Sequence, residues 1–229
     1  QYEDAIDLEL ELFEIIKKKR SKTHPDYQKI VGNLATLYDK SNQYHKAIPF
    51  AIASLGNIEQ TKGKDNLEYS ESLNSLANLY FNSSNYQKAI PLYIEALKIT
   101  EKKLGKGNSK YISLLSNLAT CYNSIGHYEQ SLNLHLESLT LAKIHLGKDK
   151  SDYGTSLNNL ANLYFEIGQY KKALSHFLEV VENTKNTLGE NSERYASSLG
   201  NLAVLYNKNG QYEKALKTEK KALEIFPSF

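Results

Sequence analysis

A period of 42 residues runs through the chain and constrains its fold more than any other feature. Three series of tyrosines follow this period and together contain 16 of the 17 tyrosines, so that only Tyr93 lies outside them. A leucine followed by an alanine recurs at the same interval, at Leu34, Leu76, Leu118, Leu160 and Leu202. Such self-similarity is typical of repeat proteins, in which each unit buries its apolar face against its neighbours.

Within one period, the apolar residues have the spacing of two helices separated by a turn. Leu157, Leu160, Ala161 and Tyr164 lie at offsets of 3, 4 and 7 residues, which places them on one helical face. A second apolar stripe begins at Tyr170, after a short polar break. The pattern predicts a helix A of about 15 residues and a helix B of about 20 in each unit. One position of this break holds a glycine in three units, Gly126, Gly168 and Gly210, and positive φ is expected there. The same position holds Asn42 and Ser84 in the first two units.

The two predicted helices of a unit cannot bury their apolar faces alone, so neighbouring units must stack. The sequence therefore predicts an all-α fold, a solenoid of about 11 helices. A glycine marks the turn after each helix B, at Gly63, Gly105, Gly147 and Gly189. We predict a single array over residues 1–229, with helix B of a preceding repeat at 1–25 and five helix-turn-helix repeats at 26–67, 68–109, 110–151, 152–193 and 194–229.

The last repeat resembles the tetratricopeptide repeat (TPR). It contains NLAVLY at residues 201–206, GQYEKAL at residues 210–216, Ala222 with Leu223, and a closing Pro227. The 42-residue length is similar to that of kinesin light chain-like repeats and of related bacterial proteins. The resemblance implies a right-handed α-α superhelix whose A helices line the concave face. The tryptophan that the family pattern places in helix A is replaced by apolar residues able to fill the same space: Val31, Leu73, Leu115, Leu157 and Leu199.

One face of the predicted A helices is rich in carboxamides and nearly free of charge. A carboxamide pairs with both the N–H and the C=O of an extended backbone. Neighbouring helices lie about 8–10 Å apart, and three extended residues cover about the same distance. The resemblance to kinesin light chain-like repeats also implies such an asparagine ladder. The candidate ligand-binding residues are Asn33, Asn74, Asn78, Asn117, Asn158, Asn159, Asn162 and Asn201.

Two alternatives remain open for this face. The asparagines can instead be solvated, or bond to neighbouring helices within the stack. Phe81 and Phe165 occur only in the second and fourth repeats, just after the repeated tyrosine near the end of helix A. They are candidates for apolar pockets that receive ligand side chains, or for covers of the turn between the two helices.

No constellation of residues predicts catalysis. The six histidines form no H-E-x-x-H motif and do not pair with cysteine at metal-ligand spacing. Cys121 takes a position that leucine holds in the other repeats, which indicates a buried apolar residue rather than a nucleophile. The sequence therefore predicts a protein that is not an enzyme, with no catalytic residue, no metal site and no cofactor.

Charge and hydropathy limit the possible partners. The 28 basic and 26 acidic side chains leave a net charge of +2, whereas nucleic-acid binding needs a basic stripe. No apolar run approaches the roughly 18–20 residues that span a bilayer. The charge balance and the short apolar runs therefore predict no nucleic-acid or membrane partner. The single cysteine is compatible with a reducing compartment, and we predict a cytoplasmic protein. Carboxylate-clamp modules of the family place several basic residues on helix A. Only the first of the matching positions here is basic, which argues against a clamp of that kind: Lys29, Glu71, Ser113, Thr155 and Ser197.

The predicted function is a scaffold that binds a protein or peptide and holds an extended segment of it in a concave, asparagine-rich groove. The chain contains no methionine, not even an initiator, which suggests a segment of a larger protein. The alternative is a structural or regulatory array that docks on an effector domain of the same polypeptide. The resemblance to bacterial array proteins implies that such a domain would be protease-like or an NTPase.

Overall fold

The computed structural model describes residues 2–148 and 150–225, which form helices joined by short turns and contain no strand. The all-α class and the number of helices are thus confirmed. Predictions that fall on Gln1 and on residues 226–229, including Pro227 of the repeat motif, lie outside the described residues. The helices are α1 (Tyr2–Lys19), α2 (Pro25–Lys40), α3 (Tyr44–Lys62), α4 (Leu67–Asn82), α5 (Tyr86–Leu104), α6 (Ser109–Ser124), α7 (Tyr128–Leu141), α8 (Ser151–Glu166), α9 (Tyr170–Leu188), α10 (Glu193–Lys208) and α11 (Tyr212–Ile225).

The chain forms two compact units, Gln1–Gly105 and Lys106–Phe229. In the first unit α1 packs on α2, and the pairs α2/α3 and α4/α5 stack through α3 and α4. In the second unit the pairs are α6/α7, α8/α9 and α10/α11, and α9 packs on α10. A π-helical turn, Ala142–Leu146, lengthens α7. Each pair is one helix A followed by one helix B, as the 42-residue period predicts.

The turns depend on backbone conformations that the sequence marks. Ser84, in the turn between α4 and α5, lies at φ 59° in the left-handed region, although it is not a glycine. Gly63 lies at φ 76° and ψ 176°, a region that is essentially restricted to glycine, and its N–H closes α3 by donating to the carbonyl of Glu59. Side-chain caps fix where A helices begin: Asn66 accepts from the N–H of Tyr69 at 2.9 Å, and Ser192 from that of Tyr195 at 3.2 Å.

The repeated leucine and alanine hold neighbouring pairs together. Leu160 and Ala161 of α8 are completely buried, and they pack with Ala173 of α9 against Leu202 and Leu205 of α10. The alanine leaves the backbones of these helices room to approach each other closely. The residues that replace the tryptophan of the family pattern are likewise buried, from 0 to 5 % exposed.

Ion pairs on the surface of the second unit repeat with the same period, but the acidic and basic partners exchange places in the last repeat. In two repeats a lysine in the turn before helix A pairs with a glutamate of helix B. In the last repeat the glutamate lies in the turn and the lysine in the helix. The pairs are Lys106–Glu137 at 3.5 Å, Lys148–Glu179 at 3.2 Å and Glu190–Lys221 at 3.6 Å.

Candidate functional site

Two amides of the second unit, Asn158 and Asn201, lie between the neighbouring A helices α8 and α10. The buried Leu160 and Leu202 fix how these helices are rotated, so the residues just before them turn toward the surface. Both asparagines are half-buried, as is Asn159 of α8. A cavity of about 150 Å³ opens beside them, with residues of α8, α9 and α10 as its lining.

Asn158 and Asn201 form a direct link between the two A helices. The Nδ2 of Asn201 donates to the Oδ1 of Asn158 at 3.2 Å. This bond leaves the carboxamide oxygen of Asn201 and the N–H groups of Asn158 available to another molecule. One acceptor and one donor side by side is the arrangement that a peptide unit of an extended chain can match.

Two further amides of α8 lack a protein partner. Asn159 and Asn162 are half-buried, and neither side chain has a hydrogen-bond partner among residues 2–148 and 150–225. Because a buried amide without a partner costs free energy, these groups favour contact with water or a ligand. Together with the Asn158–Asn201 pair, they leave several amide donors and acceptors on α8 and α10 without a partner in the described part of the protein.

In the first unit the candidate amides are engaged within the protein. The Nδ2 of Asn33 donates to the Oε1 of Glu9, at 2.6 Å, across α1 and α2. The hydroxyl of Tyr93 donates to the Oδ1 of Asn78 at 2.6 Å, across α4 and α5. Asn74, and Asn117 of the second unit, also interact with neighbouring groups of the protein.

The two phenylalanines of the even repeats lie against the turn between their helices. The ring of Phe81 meets that of Tyr86 edge-on, with centroids 5.5 Å apart. The ring of Phe165 is tilted against that of Tyr170, with centroids 5.6 Å apart. Each phenylalanine is half-buried, so part of its ring remains accessible.

The groups that could carry chemistry are buried and neutral. Burial raises the pKa of the Cys121 thiol to about 11, so the thiolate is scarce at neutral pH. Burial also lowers the pKa of His135 to about 4, and its Nδ1 has no hydrogen-bond partner. Within the described ranges, no three residues of the types that bind metals are grouped together. Every helix there is too short or too polar to cross a bilayer.

Three residues that contact candidate amides or line the cavity between α8, α9 and α10 are not identified as site residues by the sequence. Arg194 is one of only two arginines, beside 26 lysines, and that contrast is the signal for a position where a planar guanidinium matters. Tyr93 is the tyrosine that lies outside the repeating series, and it holds Asn78. Glu9 has no such signal, because acidic residues are common along α1.

Comparison with protein-family models finds two matches. The model described as tetratricopeptide repeat matches residues 68–144 and 152–228. The model described as anaphase-promoting complex subunit 5 matches residues 1–60 and 14–100. Comparison with curated proteins finds no match.

Several solved structures have the same fold. BtubC (BKLC) from P. vanneervenii is 19% identical with a TM-score of 0.74, over 98% of this chain and 87% of that one. A putative kinesin light chain from Podospora anserina, with nearly identical TPR-like repeats, is 22% identical with a TM-score of 0.73, over 88% of this chain and 96% of that one. The Rap conjugation gene regulator of plasmid pLS20, in complex with the Phr* peptide, is 15% identical with a TM-score of 0.70. The match covers 87% of this chain and 52% of the Rap chain.

Proposed function

The chain belongs to the tetratricopeptide repeat family, and from this premise we propose that it binds a protein partner by holding an extended segment against the amides of its A helices. The observation that carries the proposal is the Asn158–Asn201 link, which presents a donor and an acceptor together between α8 and α10. The buried, unreactive Cys121 is compatible with the cytoplasmic setting that we propose for this interaction.

The second unit contributes more to this binding than the first. A ligand gains most from amides whose hydrogen-bonding groups are not already paired. Asn159 and Asn162 meet that condition, whereas Asn33 is engaged by Glu9 and Asn78 by Tyr93. We therefore propose that residues of α8 and α10 hold the segment most tightly.

The Rap regulator that shares this fold is in complex with a peptide, and that supports a peptide-binding role. The candidate amides of the A helices are uncharged, which predicts that backbone contacts supply much of the affinity. Binding through such contacts depends weakly on salt, in contrast to nucleic-acid binding.

The test uses a random library of 12-residue peptides, displayed and selected against this chain. Selected peptides should bind the Asn201→Ala and Asn158→Ala variants about 5–10-fold more weakly, because each loses a hydrogen bond worth about 1 kcal/mol. Asn133→Ala is the matched control, since Asn133 is exposed on α7, a helix B. Isothermal titration measures the affinities. Equal affinities for all three variants would overturn the proposal.

A second candidate function is docking on an effector domain of the same polypeptide. The face of α10 and α11 carries apolar side chains that are open to solvent, with Tyr212 68%, Leu216 56% and Leu223 64% exposed. A cavity of about 570 Å³ lies there, and its lining includes Ala203, Ala215 and Leu216. In the preceding repeat, the residues at the same three positions pack against α10. Hydrogen exchange in the full-length protein distinguishes the two candidates. Slower exchange of α11 there than in this segment alone would support docking.

A further inference from the structure

We propose that the cavity between α8, α9 and α10 binds a carboxylate of the partner segment, with Arg194 as its charged contact. This inference rests on the proposed function and adds to it the chemistry of one ligand side chain. The cavity has a volume of about 150 Å³. That space suits one short side chain, since small-molecule sites take about 300 Å³ or more.

The lining of the cavity favours a negative group. It contains one positively charged side chain, that of Arg194, and no carboxylate among the described residues. The other polar lining groups are hydroxyls and amides. Several of the hydroxyls already donate to backbone carbonyls, whereas the N–H groups of Asn158 can donate to an anion. The lining residues are Ser151, Gly154, Thr155, Asn158, Val180, Asn183, Thr184, Thr187, Leu188, Arg194, Ser197, Ser198 and Asn201.

The guanidinium of Arg194 is positioned by neutral groups and keeps donors for a ligand. Its Nη1 donates to the Oγ of Ser151 at 2.5 Å, and its Nη2 lies 3.4 Å from the Oγ1 of Thr155. These contacts reach from α10 to α8 and restrict where the guanidinium lies. Among residues 2–148 and 150–225 it forms no ion pair, unlike Lys185, which pairs with Glu190 at 2.5 Å. Two of its five N–H donors are used, so three remain for an anion.

The position of the cavity fits a segment that is held by the amide pair. Asn201 follows Arg194 by seven residues on α10, which corresponds to about 10 Å along the helix axis. A backbone at Asn158 and Asn201 can therefore send one acidic side chain along the cavity toward Arg194. A single arginine differs from a carboxylate clamp, in which several basic residues on A helices hold a chain terminus.

The experiment selects 12-residue random peptides against the unmodified chain, in one library with free and one with amidated carboxyl termini. The expected result is an aspartate or glutamate at one fixed position of the selected peptides. Replacing that residue by its amide should weaken binding to the chain at least about 10-fold, the factor for one charge-assisted hydrogen bond. The same replacement should have little effect on binding to Arg194→Gln. Lys217→Gln is the control, because Lys217 is an exposed cation on α11 outside the cavity.

The outcomes separate this inference from the function on which it rests. If Asn201→Ala weakens binding but the peptides show no acidic preference, or Arg194→Gln binds them as well as the unmodified chain, the carboxylate site is wrong and the groove remains. If only peptides with free termini depend on Arg194, the carboxylate is that of a chain end. If no peptide is selected, or Asn201→Ala has no effect, the proposed function and this inference fail together.

Discussion

The second and fourth repeats have the same asparagine on helix A but a different residue beneath it on helix B. Asn78 accepts a hydrogen bond from Tyr93, whereas the equivalent Asn162 belongs to a repeat in which Phe177 takes the place of that tyrosine. Tyr93 and Phe177 are both almost completely buried, so they fill the same space. One hydroxyl oxygen therefore decides whether the amide is engaged by the protein or open to a ligand. The comparison teaches that a residue of helix B can determine whether an amide of helix A is already paired within the protein.

The largest expected effect concerns what the two repeats share. Leucine in place of Ala77 or Ala161, each fully buried, should overpack the contact and lower the free energy of unfolding by roughly 1–3 kcal/mol. Ala35 is half-buried, so Ala35→Leu is the matched control and should cost less. Chemical denaturation measures all three. Equal costs at the three positions would show that the repeats do not pack as described.

The third repeat has His135 at the position of Tyr93 and Phe177, which makes pH a probe of that position. The pKa of His135 is lowered to about 4 from 6.5, so the unfolded chain takes up a proton first as the pH falls. Stability is thus complete above pH 6.5 and decreases toward pH 4, with a loss of about 2 kcal/mol at pH 5.

His135→Phe should remove most of this dependence, and it also removes the Nδ1 that has no partner. Denaturation curves between pH 8 and pH 4.5 measure the change. A profile that stays the same in His135→Phe would contradict the burial of a neutral imidazole.

Tyr93→Phe converts the second repeat to the arrangement of the fourth. Removing the hydroxyl leaves the Oδ1 of Asn78 without its donor, which should cost about 1 kcal/mol of unfolding free energy. The double variant with Asn78→Ala measures the coupling, which should account for most of that loss. Tyr128→Phe is the control, since Tyr128 is 49% exposed. Additive effects of the two changes would show that the hydrogen bond contributes nothing.

Phe177→Tyr makes the opposite change and should have the smallest effect. A hydroxyl at that position can engage Asn162 and withdraw it from the ligand, so peptide affinity should decrease about 3-fold, in line with one neutral hydrogen bond. In the Asn162→Ala background the same substitution should leave the affinity unchanged. A loss of the same size in both backgrounds would indicate damage to packing rather than competition for the amide.

Much of the fold could be predicted because the period places each residue type in the same environment several times. The repeated leucine and alanine, and the glycines of the turns, carry the fold class and the helix pairs without further information. The organisation as a single array, and the roles of the asparagines, remain predictions. The spacing fixes which face of helix A an asparagine occupies, but not which side chain from another helix reaches it. Glu9 engages Asn33 from 24 residues away, and no local pattern marks that contact.

The reversed ion pair of the last repeat bears on how nearly interchangeable helices find their correct neighbours. If α11 took the place of α9, Lys221 would meet Lys148; in the opposite exchange, Glu179 would meet Glu190. Each mistake loses an attraction of at most about 1 kcal/mol and adds a repulsion of similar size. The penalty is small, but it acts while alternative orders of the helices compete during folding. The reversed charges of the last repeat thus favour the native order of the helices over orders in which α9 and α11 are exchanged.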